Sequence, residues 1–215
     1  MINDMFFKRD AMLVAKELIG KVIRKRYGDI ILSSMIVETE CYYIDDKGSH
    51  ASLGYTEKRK PLFMEGGTIY MYYARGKDSF NISAKGEGNA VLIKGAMPYT
   101  DEISPTETIE IMHKLNPNKD GSRRKTEKLC SGQTLVCTSM GLKLDEWTGK
   151  SFIKDQLYLE DVGYTPDEII QTTRLGIPSG RDEHLPYRFV DKRYAHCATS
   201  NPLTKRVKNY SIITL

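Results

Sequence analysis

Apolar and polar side chains alternate most regularly over residues 35–43, M-I-V-E-T-E-C-Y-Y. That alternation predicts a strand with Met35, Val37, Thr39 and Cys41 on one face and Ile36, Glu38, Glu40 and Tyr42 on the other. Upstream, Ala11, Val14, Ala15 and Leu18 recur at helical spacing. They predict a helix over 11–19, with Asp10 as N-cap and Gly20 at its end. Residues 21–27 read as a strand, and Gly28-Asp29 marks a tight turn into 30–43. The alternating stretch is therefore the second arm of a hairpin.

Residues 44–67 are polar and carry several glycines. They form a loop longer than a plain connector, a type often used for function, and His50 lies in it. T-I-Y-M-Y-Y-A (68–74) predicts a strong strand, 75–78 a basic turn and 79–84 the partner strand. Another turn at 85–88 leads to a third strand over 90–96. A helix is expected over 102–115 with Ser104 or Thr106 capping, then a charged loop over 116–128. The 129–140 segment is ambiguous, with side chains able to line a helix. Short strands follow within 147–159, a partly helical stretch over 162–171, and short elements at 172–177, 187–190 and 194–199. The tail, 200–215, is basic and then apolar. No repeat, linker or low-complexity block interrupts the chain, which predicts one domain over 1–215 with the tail unassigned.

Composition adds exclusions. The 215 residues are 40% hydrophobic and 28% charged, and no apolar run reaches the ~18 residues of a membrane span. The first ten residues are too short and too charged for a signal peptide. Four cysteines lie far apart without a C-x-x-C pair. They predict reduced, mostly buried thiols of an intracellular protein, not a disulfide frame or a zinc site. The expected location is the cytoplasm or nucleoid, or the nucleus in a eukaryote. A net charge of +4 permits a polyanionic partner without requiring one.

The candidate chemistry begins with Glu38 and Glu40, two carboxylates on one strand face beside Tyr42. Like charges crowded in a cleft favour one of them acting as a base, whereas the same pattern on a wet face carries no chemistry. The surrounding motifs favour the first reading. In order they are L-I-G-K (18–21), V-E-T-E-C-Y (37–42), His50, L-F-M-E-G-G-T-I-Y-M-Y-Y (62–73), F-N-I-S (80–83), V-L-I-K (91–94), L-C-S-G (129–132), T-R-L-G-I (173–177) and P-Y-R-F (186–189). In this order the set resembles the 3-methyladenine (alkyladenine) DNA glycosylases over about 11–199.

The resemblance implies an α+β fold, a single mixed domain around a curved antiparallel sheet with a protruding, DNA-inserting β-hairpin. It implies a monofunctional glycosylase, a monomer needing no metal or organic cofactor, that flips a damaged purine out of duplex DNA and hydrolyses its N-glycosidic bond. By position, Glu40 resembles the family's catalytic base, and Glu38 a flanking residue whose charge biases it. A carboxylate there stabilises the oxocarbenium-like sugar and activates water. His50 matches a histidine that binds the nucleotide and helps place the water. Tyr42 and Tyr72 match the walls of the base pocket, and Tyr70 shares the face of Tyr72. Asn81 matches an asparagine that crowds the exocyclic amino group of normal guanine, so that the wrong base is rejected by a clash.

Three departures stand out. Arg75, at the hairpin tip, occupies the position of the residue that fills the hole left by the flipped base, commonly Tyr; Tyr73 is the alternative. Lys94 stands where an arginine is usual, keeping the charge but losing the planar fork. Gly132-Gln133-Thr134-Leu135 replaces the usual G-P-x-K. Arg123, Arg124, Lys125, Lys128, Lys205, Arg206 and Lys208 are candidate phosphate contacts. Two other readings are a non-catalytic DNA-binding homologue, weakened at Arg75 and Lys94, and a hydrolase of free nucleosides.

Overall fold

A computed structural model describes residues 1–74 and 76–214. Among these the chain forms nine strands and four α-helices around one antiparallel sheet. The first helix, α1 (Ala11–Leu18), is capped by the Asp10 carboxylate, which accepts the amides of Met12 and Leu13. Its buried stripe is Ala11, Val14, Ala15 and Leu18. Burying each large apolar side chain of this kind contributes about 1.5–3 kcal/mol.

Strand β1 (Val22–Tyr27) turns through Gly28-Asp29 into the long β2 (Ile30–Tyr42). β2 is the axis of the sheet. Along one edge it pairs with β5 (Ala90–Pro98); along the other it pairs first with β1 and then with β8 (Arg188–Asp191). The sheet therefore forks. One arm ends in β6 (Leu157–Glu160) beside β1. The other continues through β7 (Glu168–Thr172) to β9 (Tyr210–Thr214). Beyond β5 lie β4 (Lys77–Ser83) and β3 (Ile69–Ala74), a hairpin at the sheet edge. Its ladder runs out to Ala74 opposite Lys77, so Lys77 and Asp78, expected in the turn, belong to β4.

The strict alternation expected of β2 breaks at a bulge. The ladder to β5 passes from Ile36–Ala96 to Glu38–Gly95 and then to Thr39–Ile93, skipping Val37 on one strand and Lys94 on the other. An extra residue in a ladder re-aims the side chains that follow it. Ile36 and Cys41 consequently join the main core under the helices, and the Thr39 hydroxyl donates to Ala15 O of α1. Met35 and Val37 pack on the opposite face with Val22 and Cys197. Glu38, Glu40 and Tyr42 do share a face, but it is not a wet one: both carboxylates are fully buried.

The helices α2 (Glu107–Leu115), α3 (Gln133–Met140) and α4 (Leu144–Trp147) complete the elements. The expected start of α2 at 102 fails because Asp101 turns the chain there, accepting the amides of Ile103 and Ser104, and Pro105 follows. Ser104 caps nothing; its buried hydroxyl meets Ser33 and Ile31 O. The stretch expected to be partly helical over 162–171 contains no helix; its end, from Glu168, is β7, whose Ile169 and Ile170 are buried on opposite faces, one in each of two core clusters. Part of the tail, left without an element above, pairs with β7 as β9. All four cysteines are buried free thiols. No helix of the described residues is long and apolar enough to cross a membrane.

Candidate active site

On the face of the sheet away from the helical core, a cavity of about 580 Å³ opens between the β3–β4 hairpin, the start of α3 and the 174–181 loop. That volume suits a small organic ligand, for which sites of about 300–1,000 Å³ are usual. Alternation along β3 sends Tyr70, Tyr72 and Ala74 to the cavity and Ile69 and Met71 to the core. Tyr73 follows the second set and is two-thirds exposed, facing away from the cavity. Arg75 lies outside the described residues.

Of the residues singled out above, Tyr42, His50, Tyr72, Asn81 and Lys94 all line this one cavity, and Tyr70 joins them. Tyr70 and Tyr72 are stacked at 5.7 Å. The His50 ring sits 4.3 Å from that of Tyr72, and its Nδ1 is 3.0 Å from the Tyr70 hydroxyl. Packing of its inner edge lowers the His50 pKa from 6.5, helped by the positive charges of Arg59 and Arg181. The imidazole is therefore neutral at pH 7. Asn81 is opposite Tyr70 in the hairpin ladder and donates its amide to Tyr70 O at 3.1 Å.

Glu40 stands behind the lining. Its Oε2 accepts the Tyr42 hydroxyl at 2.7 Å and lies 3.3 Å from the Lys94 ammonium; its Oε1 accepts the Leu175 amide at 3.0 Å. The carboxylate thus meets the cavity through three residues that do line it. Burial, and next the Glu40 charge, raise the Tyr42 pKa well above 10, so the phenol remains a donor. The two carboxylates, expected to act on each other, are each paired with a separate cation. Glu38 pairs with Arg188 at 2.6 Å and accepts the Thr199 amide at 2.7 Å, whereas Glu40 has Lys94.

Two residues of the site went unassigned in the sequence. Arg174 is buried, forms a two-pronged pair with Asp46, and places its guanidinium 4.6 Å from the centre of the Tyr42 ring. This pair ties the 43–50 loop, and hence His50, to the 174–182 segment. The Lys47 amide on Asp182 and Arg181 on Lys47 O knit the same two segments. The signal was a lone arginine within T-R-L-G-I, since a charge in an apolar run needs a partner. Gln133 lies between Lys94 Nζ, 3.0 Å from its Oε1, and the Tyr72 hydroxyl, 3.3 Å from its Nε2. Two departures from the family pattern, Lys94 and Gln133, therefore touch each other.

The candidate phosphate contacts are placed elsewhere; none lines the cavity. Arg123 is paired with Glu110, Arg124 with the carbonyls of Asn116 and Pro117, and Lys128 with His196 O. Arg181 is the arginine that does line it. Among the described residues no group of three or more His, Cys, Asp or Glu is arranged to hold a metal ion.

The sequence that builds this site matches a known family over most of its length. The chain belongs to the methylpurine-DNA glycosylase family, whose model covers residues 5–195. It is 58% identical over 204 residues to a Pseudomonas aeruginosa (strain LESB58) protein, covering 95% of this chain and 85% of that one. A Pseudomonas fluorescens (strain Pf0-1) relative is 59% identical, over 95% and 88% of the two chains. A Clostridium botulinum (strain Hall) relative is 37% identical over 180 residues, 80% of this chain and 85% of its own. All three carry the name "Putative 3-methyladenine DNA glycosylase".

Proposed function

We propose that this protein is a monofunctional DNA glycosylase that flips an alkylated or deaminated purine from duplex DNA and hydrolyses its N-glycosidic bond, acting as a monomer without a metal or organic cofactor. The observation that supports this best is the Glu40 carboxylate, held by Tyr42 and Lys94 directly behind a cavity walled by tyrosine rings.

In this reading the flipped purine lies between Tyr42 on one side and Tyr72 and His50 on the other. Stacking of that kind is worth about 1–3 kcal/mol per base. Asn81 stands where the exocyclic amino group of guanine would clash. As the bond from C1′ to the base nitrogen lengthens, positive charge grows on the sugar and the base leaves with the bonding electrons, neutral when alkylation had made it a cation and otherwise as an anion that takes up the proton released by the attacking water. The negative charge of Glu40 stabilises that sugar cation. A water adds its oxygen to C1′ and gives a proton to Glu40. Neutral His50 places the nucleotide and the water, and Lys94 holds Glu40 by its charge. Arg75, by its place in the sequence, fills the gap left in the duplex.

The test uses duplexes carrying a single hypoxanthine, 1,N6-ethenoadenine or 3-methyladenine, with alkali to nick abasic sites. Strand breaks are expected with at least one lesion, and Glu40→Gln abolishes them while still binding the duplex. Binding without breaks on any lesion overturns the enzymatic reading in favour of a non-catalytic DNA-binding protein. Breaks without alkali indicate lyase chemistry through Lys94 instead.

A further inference from the structure

We infer that Gln133 is a positioning residue of this site, its carboxamide fixing the Lys94 ammonium against Glu40; the inference rests on the Glu40-centred reading above. A lysine is a point charge on a flexible four-carbon stem, and nothing in its own chemistry holds it in one place. Here the ammonium donates to Gln133 Oε1 at 3.0 Å and to Leu175 O at 3.5 Å, and lies 3.3 Å from Glu40 Oε2 as its ion-pair partner. Gln133 is the nearest. Without it, the ammonium at the edge of an open cavity is free to turn toward solvent and away from the carboxylate.

The orientation of the amide follows from the chemistry of its neighbours. An ammonium only donates, so the carbonyl end of Gln133 must face Lys94, and the NH₂ end is left for the Tyr72 hydroxyl. Both ends of one side chain are thereby fixed, one by the charge behind the cavity and one by its aromatic wall. The backbone beneath is equally defined. Gln133 is the first residue of α3 and follows Gly132, whose φ of 146° favours glycine. Its side chain is a short strut from a helix start, not a loop group free to adapt.

The experiment measures single-turnover excision and duplex affinity on whichever of the three lesions the wild type processes, using Q133L, K94M, Y72F and the two double variants with Q133L. Loss of a hydrogen bond to a charged group predicts that Q133L slows excision about tenfold or more, with affinity changed by no more than about twofold because leucine keeps the bulk that Gln133 contributes to the cavity wall. The loss disappears when Q133L is made in K94M and persists in Y72F. Q133P provides the check on folding: proline suits the first position of a helix, so this variant melts near the wild type yet shows the same slow excision. Wild-type rates in Q133L, or an undiminished loss in the K94M background, overturn the inference. Glu40→Gln separates the two levels. If it excises normally, the reading of Glu40 as base fails. If it is inert while Q133L is normal, only the role of Gln133 fails.

Discussion

Glu38 and Glu40 lie two residues apart on one face of β2, and each is answered by a different cation: Glu38 by Arg188 at 2.6 Å, Glu40 by Lys94 at 3.3 Å. In the proposed function the division separates scaffold from chemistry. The Glu38–Arg188 pair also fixes the following segment, since Glu38 takes the Thr199 amide and Arg188 donates to Ser200 O. Removing one partner of a buried pair leaves the other charge uncompensated, at about 3–5 kcal/mol. Glu38→Gln is therefore expected to lower unfolding free energy by about 3 kcal/mol in urea titration. A variant as stable as the wild type contradicts the assignment.

Gly95 faces the same carboxylate. A Cβ built there would lie 2.7 Å from Glu38 Oε2, an atom that Thr199 and the neighbouring Arg188 pair hold in place. Gly95→Ala is expected to cost about 1–3 kcal/mol by overpacking. Adding Glu38→Ala to it should cost less than the sum of the two single changes, which a double-mutant cycle on melting data would read.

His50 carries a pH signature. Its pKa is lowered in the folded chain, first by burial and then by Arg59 and Arg181. The unfolded chain therefore binds its proton more readily, and stability falls as pH drops through 6.5 and stops falling below the folded pKa. His50→Gln is expected to flatten the dependence of unfolding free energy on pH just below 6.5. His113, also lowered by burial, leaves a residual slope. An unchanged slope in His50→Gln removes the claim.

The Asp46–Arg174 pair links the 43–50 loop to the 174–182 segment. Asp46→Asn is expected to loosen the 43–50 loop, with faster hydrogen exchange at Lys47 and Gly48 and weaker binding of a lesion duplex. A loss of about 3 kcal/mol in stability is the scale for a broken buried pair. Exchange rates equal to the wild type would show that the loop is held by other contacts.

Placement of the arginines predicts different salt behaviour. Arg181 lines the cavity, while Arg123 is committed to Glu110. Arg181→Ala should weaken duplex binding and reduce the slope of log affinity against log salt by about one. Arg123→Ala should leave both unchanged. The reverse result would move the DNA face to the helical side of the sheet.

Much of this was legible in the residues. The helix at 11–18 announced itself by spacing and by Asp10, and the first hairpin by Gly28-Asp29, because local chemistry decides both. Residues 35–42 were read correctly as a strand, but not the bulge within it. A bulge depends on what the partner strand offers, here Gly95, and leaves no mark in the period of β2 alone. The same limit hid β7, whose fate is set by pairing with β8 and β9 rather than by its own polar sequence. In the candidate site, ordered motifs pointed to the cavity residues. The links through Arg174 and Gln133 join segments far apart in the chain, and only the fold brings them together.

The bulge in β2 has a bearing on how faithfully this chain reaches its native state. A slip of a single residue against β5 would carry Glu38 and Glu40 among the isoleucines beneath α1 and eject Ile36 and Cys41 from it. Such a mispaired intermediate strands two charges without cations and has no means of persisting, so the acidic residues that mark the cavity also act as a lock on strand alignment.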